Sequence, residues 1–455
     1  MITVSCAWVV NWCYSRGNLL SRKSPANQSD TEFIAGTALA AHFIFFAVLL
    51  LVQLPVLYPL RFVDMAESEK THRVVLFCLG RLLKHTHRVF LLSLAITIGL
   101  LVVLRPEYVG ADIGVGKFYA YSFVTHLNNT SISIATRRIV LEDTILGRSK
   151  QHAVRQVTGC RSATRFAKVF ILTLPKAAVV VLGALYVRAI SKYRIDGVWD
   201  FVVFTSGNLV LKNVVREIAK RGTQKLRVRN PQSIFLVAGM PTVLIDTQVR
   251  IVLQTAPGAR YTLVWTFVMA GVEVITRFTK VVFTKKRLLR REIEASALAS
   301  TSQSRAAGSA IASDAPTGSR ASTPADAFAR WKHQVLTFQI AESYANMSAE
   351  YIAIGCSTSI LYFYWDHPKY SLGGFKKSER GTTTTESLLP WTHSTALGAQ
   401  VLVEVLVDYV SCVLESSQGV DFRRIREYRV FLALLFVCLA TMNIQFCALM
   451  YLTVH

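Results

Sequence analysis

Apolar residues in this chain run in long blocks, not in strict alternation. Residues 34–57 read IAGTALAAHFIFFAVLLLVQLPVL and hold no charged side chain. Residues 89–104 read VFLLSLAITIGLLVVL. A helix of about 20 apolar residues crosses roughly 30 Å of hydrocarbon. By that measure both blocks are membrane spans, as are 169–187, 262–283 and 429–451. Three further blocks qualify only if charge is admitted inside the bilayer. Residues 233–253 carry Asp246 and Arg250, and residues 398–416 carry Glu404 and Asp408. Residues 343–364 end in the aromatic run Tyr362, Phe363, Tyr364, Trp365, which suits a membrane interface. Residues 198–215, with Asp200 and Lys212, read equally as a re-entrant or surface helix or as a further span.

This pattern predicts an all-α fold, a polytopic transmembrane helix bundle of about eight spans. Residues 1–33 form an N-terminal tail, and 34–291 an N-terminal membrane part of about five spans. Residues 331–455 form a C-terminal membrane part of about three. Between them, 292–330 is rich in Ala, Ser and Thr and reads as a disordered linker, because it offers too little apolar surface to bury. With the N-terminus outside, the basic segments 58–88, 188–232, 284–342 and 417–428 fall inside, as the positive-inside rule asks. The segment 105–168 then lies outside and carries ten Lys and Arg, against the rule. Its overlapping glycosylation sequons at Asn128 and Asn129 suit an outside loop.

Polar residues inside the apolar blocks supply the functional clues. Gln400, Glu404, Asp408, Ser411 and Glu415 recur every three or four residues, one stripe along a helix. A carboxylate at mid-bilayer costs at least about 2.5–3.5 kcal/mol, so it turns to a bundle interior, a cation or a water path. The stripe reads either as a cation or proton path or as the packing face of an amphipathic helix. Asp246 and Arg250 stand one turn apart and can form an intrahelical ion pair. Glu273 and Arg277 repeat that spacing. Lys176 follows Pro175 inside its block and can partner Glu404, Asp408 or Glu273. Gly36 and Ala40 make a small-residue face for helix packing. His42 on the same block is a candidate pH-sensitive group or a hydrogen-bonded structural residue.

Composition agrees with a membrane chain. The 455 residues are 52% hydrophobic and 17% charged, with a net charge of +23. The basic residues cluster beside apolar blocks, as at Lys285-Lys286-Arg287, Arg290-Arg291 and Arg423-Arg424. That placement points to anionic lipid headgroups rather than nucleic acid. Eight cysteines form no CxxC pair, so neither a disulfide framework nor a zinc site is expected. The run from Ala111 to Lys117 resembles a phosphate loop but has Phe118 where a Ser or Thr would bind magnesium. No catalytic, cofactor or metal motif stands out.

The expected function is a channel or secondary transporter for a cation or proton-coupled solute, not an enzyme. Its path would run through Glu404, Asp408, Gln400, Glu273 and Lys176, with no cofactor. The alternative is a non-catalytic membrane scaffold or assembly partner. The expected surroundings are a plasma membrane or endomembrane bilayer, with a homo-oligomer or a membrane partner.

Overall fold

The computed structural model describes residues 2–57, 60–64, 71–103, 114–145, 242–252, 259–308, 324–370, 391–418 and 429–452, with shorter stretches between 147 and 239 and residue 372. Eight long helices organise them: α1 (Ile2–Arg16), α2 (Asp30–Leu57), α3 (Thr71–Val103), α4 (Gly114–Glu142), α5 (Ala259–Gly308), α6 (Pro324–Tyr364), α7 (Trp391–Ser417) and α8 (Arg429–Tyr451). A further helical segment covers 242–252. Among the described residues the only extended pairings are two isolated bridges, Phe62 with Thr144 and Tyr370 with Leu452. The all-α class follows.

Among the described residues three helices are long and apolar enough to cross a membrane: Asp30–Leu57, Arg73–Val103 and Val430–Ala448. The first is well started. Ser29 caps α2 by accepting the Glu32 amide at 3.2 Å, and Asp30 and Glu32 put negative charge on its first turn. Pro55 withdraws one backbone donor near the other end.

Two clusters of buried side chains hold the bundle together. One joins α1, α6 and α8 through residues such as Tyr14, Ile360, Tyr364 and Leu435. The other joins α2, α3 and α4 through Phe45, Leu49, Leu82, Ile132 and Ile139. Helix α8 borders both, packing on α1, α2, α4 and α6.

Two helices lie where the apolar blocks gave no warning. Residues 1–33 were expected to be a tail, yet α1 buries Ala7, Val10 and Tyr14 against α6 and α8. At 15 residues it is too short for a span, and its apolar contacts are made with protein. Asn11 Nδ2 donates to Ser359 Oγ at 2.7 Å, fastening α1 to α6. Gly355 lets Val4 approach to 3.0 Å of the position a Cβ would take.

Helix α4 lies within the expected outside loop 105–168. Its low hydropathy comes from Asn, Ser and Thr, and hydroxyls of the last two return to their own helix: Ser133 to the Asn129 carbonyl at 2.8 Å and Thr136 to the Ile132 carbonyl at 2.9 Å. Asn128 is only 2% exposed, so this sequon cannot carry a glycan in this fold.

Helix also enters the segment 292–330. Helix α5 continues to Gly308 and α6 begins at Pro324, with 309–323 outside the described residues. Alanine is the strongest helix former, so an Ala-rich composition need not mean disorder. The two helices run antiparallel there. Arg291 stacks 4.8 Å over Trp331, and Lys332 pairs with Glu292 at 3.6 Å. At 1.5 Å per residue α5 is roughly 75 Å long, far beyond a bilayer core.

Gly36 serves a different neighbour from the one expected. A Cβ there would lie 2.4 Å from the Asn18 Cα, in the turn that links α1 to α2. That turn needs Gly17 at a φ of 65°. The small residue therefore makes room for a backbone turn, not for a second helix.

Candidate functional site

The site gathers on one side of the segment 242–252, which α8 holds in place. Asn443 Nδ2 donates to Thr247 Oγ1 at 2.7 Å. Gln248 donates to Cys447 Sγ at 2.9 Å and accepts from the Tyr451 hydroxyl at 2.5 Å. These bonds fix the rotation of the segment. Asp246 and Arg250, one turn apart, then share the flank that meets the other helices.

Both charges find partners away from their own helix. Lys212 Nζ lies 2.7 Å from Asp246 Oδ2, and Arg250 donates to Glu404 on α7. The expected intrahelical pair is thus replaced by two cross-links, which join more of the bundle than one pair along a helix could.

Arg277 of α5 is the hub. Its Nε and Nη2 reach Glu273 Oε1 at 3.0 and 2.8 Å. Nη1 reaches Asp408 Oδ1 on α7 at 2.8 Å, and Nη2 reaches Glu350 Oε2 on α6 at 3.2 Å. Glu350 Oε1 in turn lies 3.5 Å from Lys212 Nζ. Four carboxylates (Asp246, Glu273, Glu350 and Asp408) and two cations (Lys212 and Arg277) are therefore linked by ion pairs among the described residues, and the Arg250–Glu404 pair completes the network by proximity, with Glu404 within 4.8 Å of Glu273 and Glu350.

The α7 stripe has the geometry its spacing predicts. Gln400, Asp408, Ser411 and Glu415 are buried, with Glu404 nearly so. Glu415 accepts the Ser343 hydroxyl at 3.1 Å. The opposite face exposes Leu402, Val405, Leu406, Tyr409 and Val413. A helix with polar residues buried and apolar residues outward is inverted for water and suited to lipid. Helix α5 does the same, exposing Phe267, Ile275 and Phe283 while Arg277 turns inward.

Beside the network is a cavity of about 60 Å³, bordered by Lys212, Asp246, Glu273, Arg277, Asn346 and Glu415. It has room for about four waters. Asn346 Oδ1, Glu350 Oε1, Asp408 Oδ2 and Glu415 Oε2 are buried and receive no hydrogen bond among the described residues. Buried polar atoms are costly without a partner, so Asn346 and Glu415, which line the cavity, mark a wet or ion-holding space.

Carboxylate oxygens of Glu273, Glu350 and Glu404 lie within 4.8 Å of one another. At an effective dielectric of about 20, two such charges repel by about 3.5 kcal/mol. An all-oxygen set of this kind suits a hard cation, but Arg277 and Arg250 already occupy these carboxylates. The arrangement can hold a proton, or exchange an internal cation for an external one.

Sequence reasoning named Glu404, Asp408, Gln400, Glu273, Asp246 and Arg250, and all but Gln400 belong to the ion-paired network. Gln400 is buried one turn before Glu404. Lys176 lies outside the described residues. Glu350 and Lys212 were missed. Glu350 had a signal: Gln339, Ser343, Asn346 and Glu350 repeat at spacings of four, three and four, as the α7 stripe does.

His42 lies elsewhere, stacked 5.2 Å from Phe90 with Nε2 3.4 Å from Ser93 Oγ. These contacts join α2 to α3.

Comparison with known protein families, curated protein sequences and solved structures finds no match.

Proposed function

We propose that this chain is a polytopic membrane protein of about eight spans that acts as a channel or secondary transporter for a cation or proton-coupled solute. One observation carries the reading: a buried network rich in carboxylates joins α5, α6, α7 and the segment 242–252 beside a water-sized cavity. Intramembrane ionisable groups are expensive and mark ion pathways and relays. Glu404, Asp408, Gln400 and Glu273 are the path residues, as their spacing suggested.

Support for more than three spans comes from α5 and α7, which fail a plain apolar criterion because of their inward charges. Their outward faces are apolar. The exposed residues Lys285, Lys286, Arg287, Arg290 and Arg291 on α5 are the anionic-lipid contact. The bilayer is a plasma membrane or an endomembrane.

Flux in reconstituted vesicles tests the reading, with a pH dye and a panel of alkali cations. Replacing Glu404→Gln together with Asp408→Asn is expected to cut flux at least about tenfold, the size of a 1.4 kcal/mol effect. Unchanged flux removes these residues from the path.

One feature favours a second reading, a non-catalytic scaffold. Each of the three cations bridges separate helical elements, as a structural lock would. Under that reading the wild-type chain conducts nothing, and making the 398–416 stripe apolar releases a stoichiometric membrane partner.

A further inference from the structure

We propose that Glu273 and Glu350 share a single bound proton, so that the ion handled at this site is H⁺ rather than a metal cation. The inference deepens the transport reading and rests on the same network.

Three observations lead to it. Carboxylate oxygens of Glu273 and Glu350 lie within 4.8 Å of each other, and both side chains accept from Arg277 Nη2. One guanidinium nitrogen shared by two carboxylates leaves part of their repulsion standing, and a proton on one of them relieves it. Glu350 is 2% exposed, its Oε2 takes Arg277, and its Oε1 receives no hydrogen bond among the described residues. Finally, Asn346 stands one turn before Glu350 on α6, 4% exposed, with an unpartnered Oδ1 on the cavity wall beside Glu273. It offers an acceptor to a water that delivers or removes the proton.

The surrounding charges decide between proton and metal. Lys212 and Arg277 face Glu350 directly, and Arg250 is bound to Glu404. Three fixed cations repel a divalent metal from the trio. Yet five carboxylates outnumber them, with Asp246, Glu404 and Asp408 supplying the rest of the negative charge. A single proton relieves the closest repulsion without displacing a guanidinium, as in other paired carboxyl sites. Further out, Lys280 pairs with Glu342, and Ser343 donates to Glu415. In the step itself a hydrated proton entering the cavity passes H⁺ to a Glu273 oxygen on its wall and leaves as water, and the proton is then shared with Glu350. The network then gains one positive charge, and the return step reverses it.

The test is infrared absorption of the purified full chain in detergent at neutral pH, read in the carbonyl-stretch region of protonated carboxyl groups. The expected result is a band that shifts in heavy water, disappears in both Glu350→Gln and Glu273→Gln, and persists in Glu415→Gln. No such band in the wild-type protein overturns the proposal, and this arm needs no variant to fold. A band that survives both substitutions overturns it too. So does stoichiometric uptake of Mn²⁺ that abolishes the band, which makes the trio a metal site. Failure of the transport reading looks different: the band is present and no flux occurs.

Discussion

The Arg277 guanidinium of α5 donates to Asp408 Oδ1 of α7 at 2.8 Å, across 131 positions of sequence. It also holds Glu273 and Glu350. Removing one partner of a buried pair leaves the other charge uncompensated, at a cost of about 3–5 kcal/mol. Arg277→Met is therefore expected to lower the thermal unfolding midpoint sharply in detergent. Adding Asp408→Leu should return part of the loss, since the double variant removes one of the stranded charges. A single variant that unfolds like wild type would show that Arg277 is not the hub.

Gly36 and Gly80 give a contrast within the same bundle. A Cβ at Gly36 meets the Asn18 backbone at 2.4 Å, while a Cβ at Gly80 meets nothing within 4 Å. Gly36→Ala must push the α1–α2 turn away and is expected to destabilise by about 1–3 kcal/mol, as overpacking does. Gly80→Ala replaces glycine inside a helix and is expected to stabilise by about 0.5–1 kcal/mol. Denaturant midpoints measure both, and equal effects would contradict the close approach at Gly36.

His367 makes α1 docking sensitive to acid. Its Nε2 donates to the Ser15 carbonyl at 2.7 Å, and its Nδ1 accepts the Lys369 amide at 3.1 Å. Both nitrogens are satisfied only in the neutral ring. Burial lowers its pKa below the ordinary value of about 6.5, with the Ser15 hydrogen bond opposing and nearby Lys369 assisting. The unfolded chain then binds the proton more readily than the folded one. This contribution to stability is complete above pH 6.5 and is lost as pH falls through the lower folded value. Melting midpoints between pH 7.5 and 5 should drop more steeply for wild type than for His367→Gln. Parallel slopes would remove His367 from the account.

Asn128 tests the placement of α4. Its side chain is packed inside the bundle, so mass spectrometry of the chain from a glycosylating host should find residue 128 unmodified. A glycan there would mean that α4 does not pack on α2 and α3 as it does here.

What was legible in the sequence followed periodicity. The α7 stripe could be read because Gln400, Glu404, Asp408, Ser411 and Glu415 keep helical spacing in an apolar background. Glu350 keeps the same spacing on α6, but one carboxylate in a block judged by its average is easily passed over. Helix α4 hides because its hydroxyls count as polar while bonding to its own backbone. Helix α1 hides because 15 residues fall short of a span. The pairings themselves left no local trace. Arg250 and Glu404 are 154 positions apart, and Arg277 and Glu350 are 73. Only packing brings them together, so Lys212, on the weakest block, had no visible reason to matter.

The bond from Asn11 to Ser359 spans 348 positions. At about 5–20 residues per second, a ribosome needs about 17–70 s to make the second partner after the first. Throughout that interval α1 has neither α6 nor α8 to cover Ala7, Val10 and Tyr14. Until residue 359 has been made, this short apolar helix needs some other cover. Docking of α1 on α6 thus waits for α6 to be made.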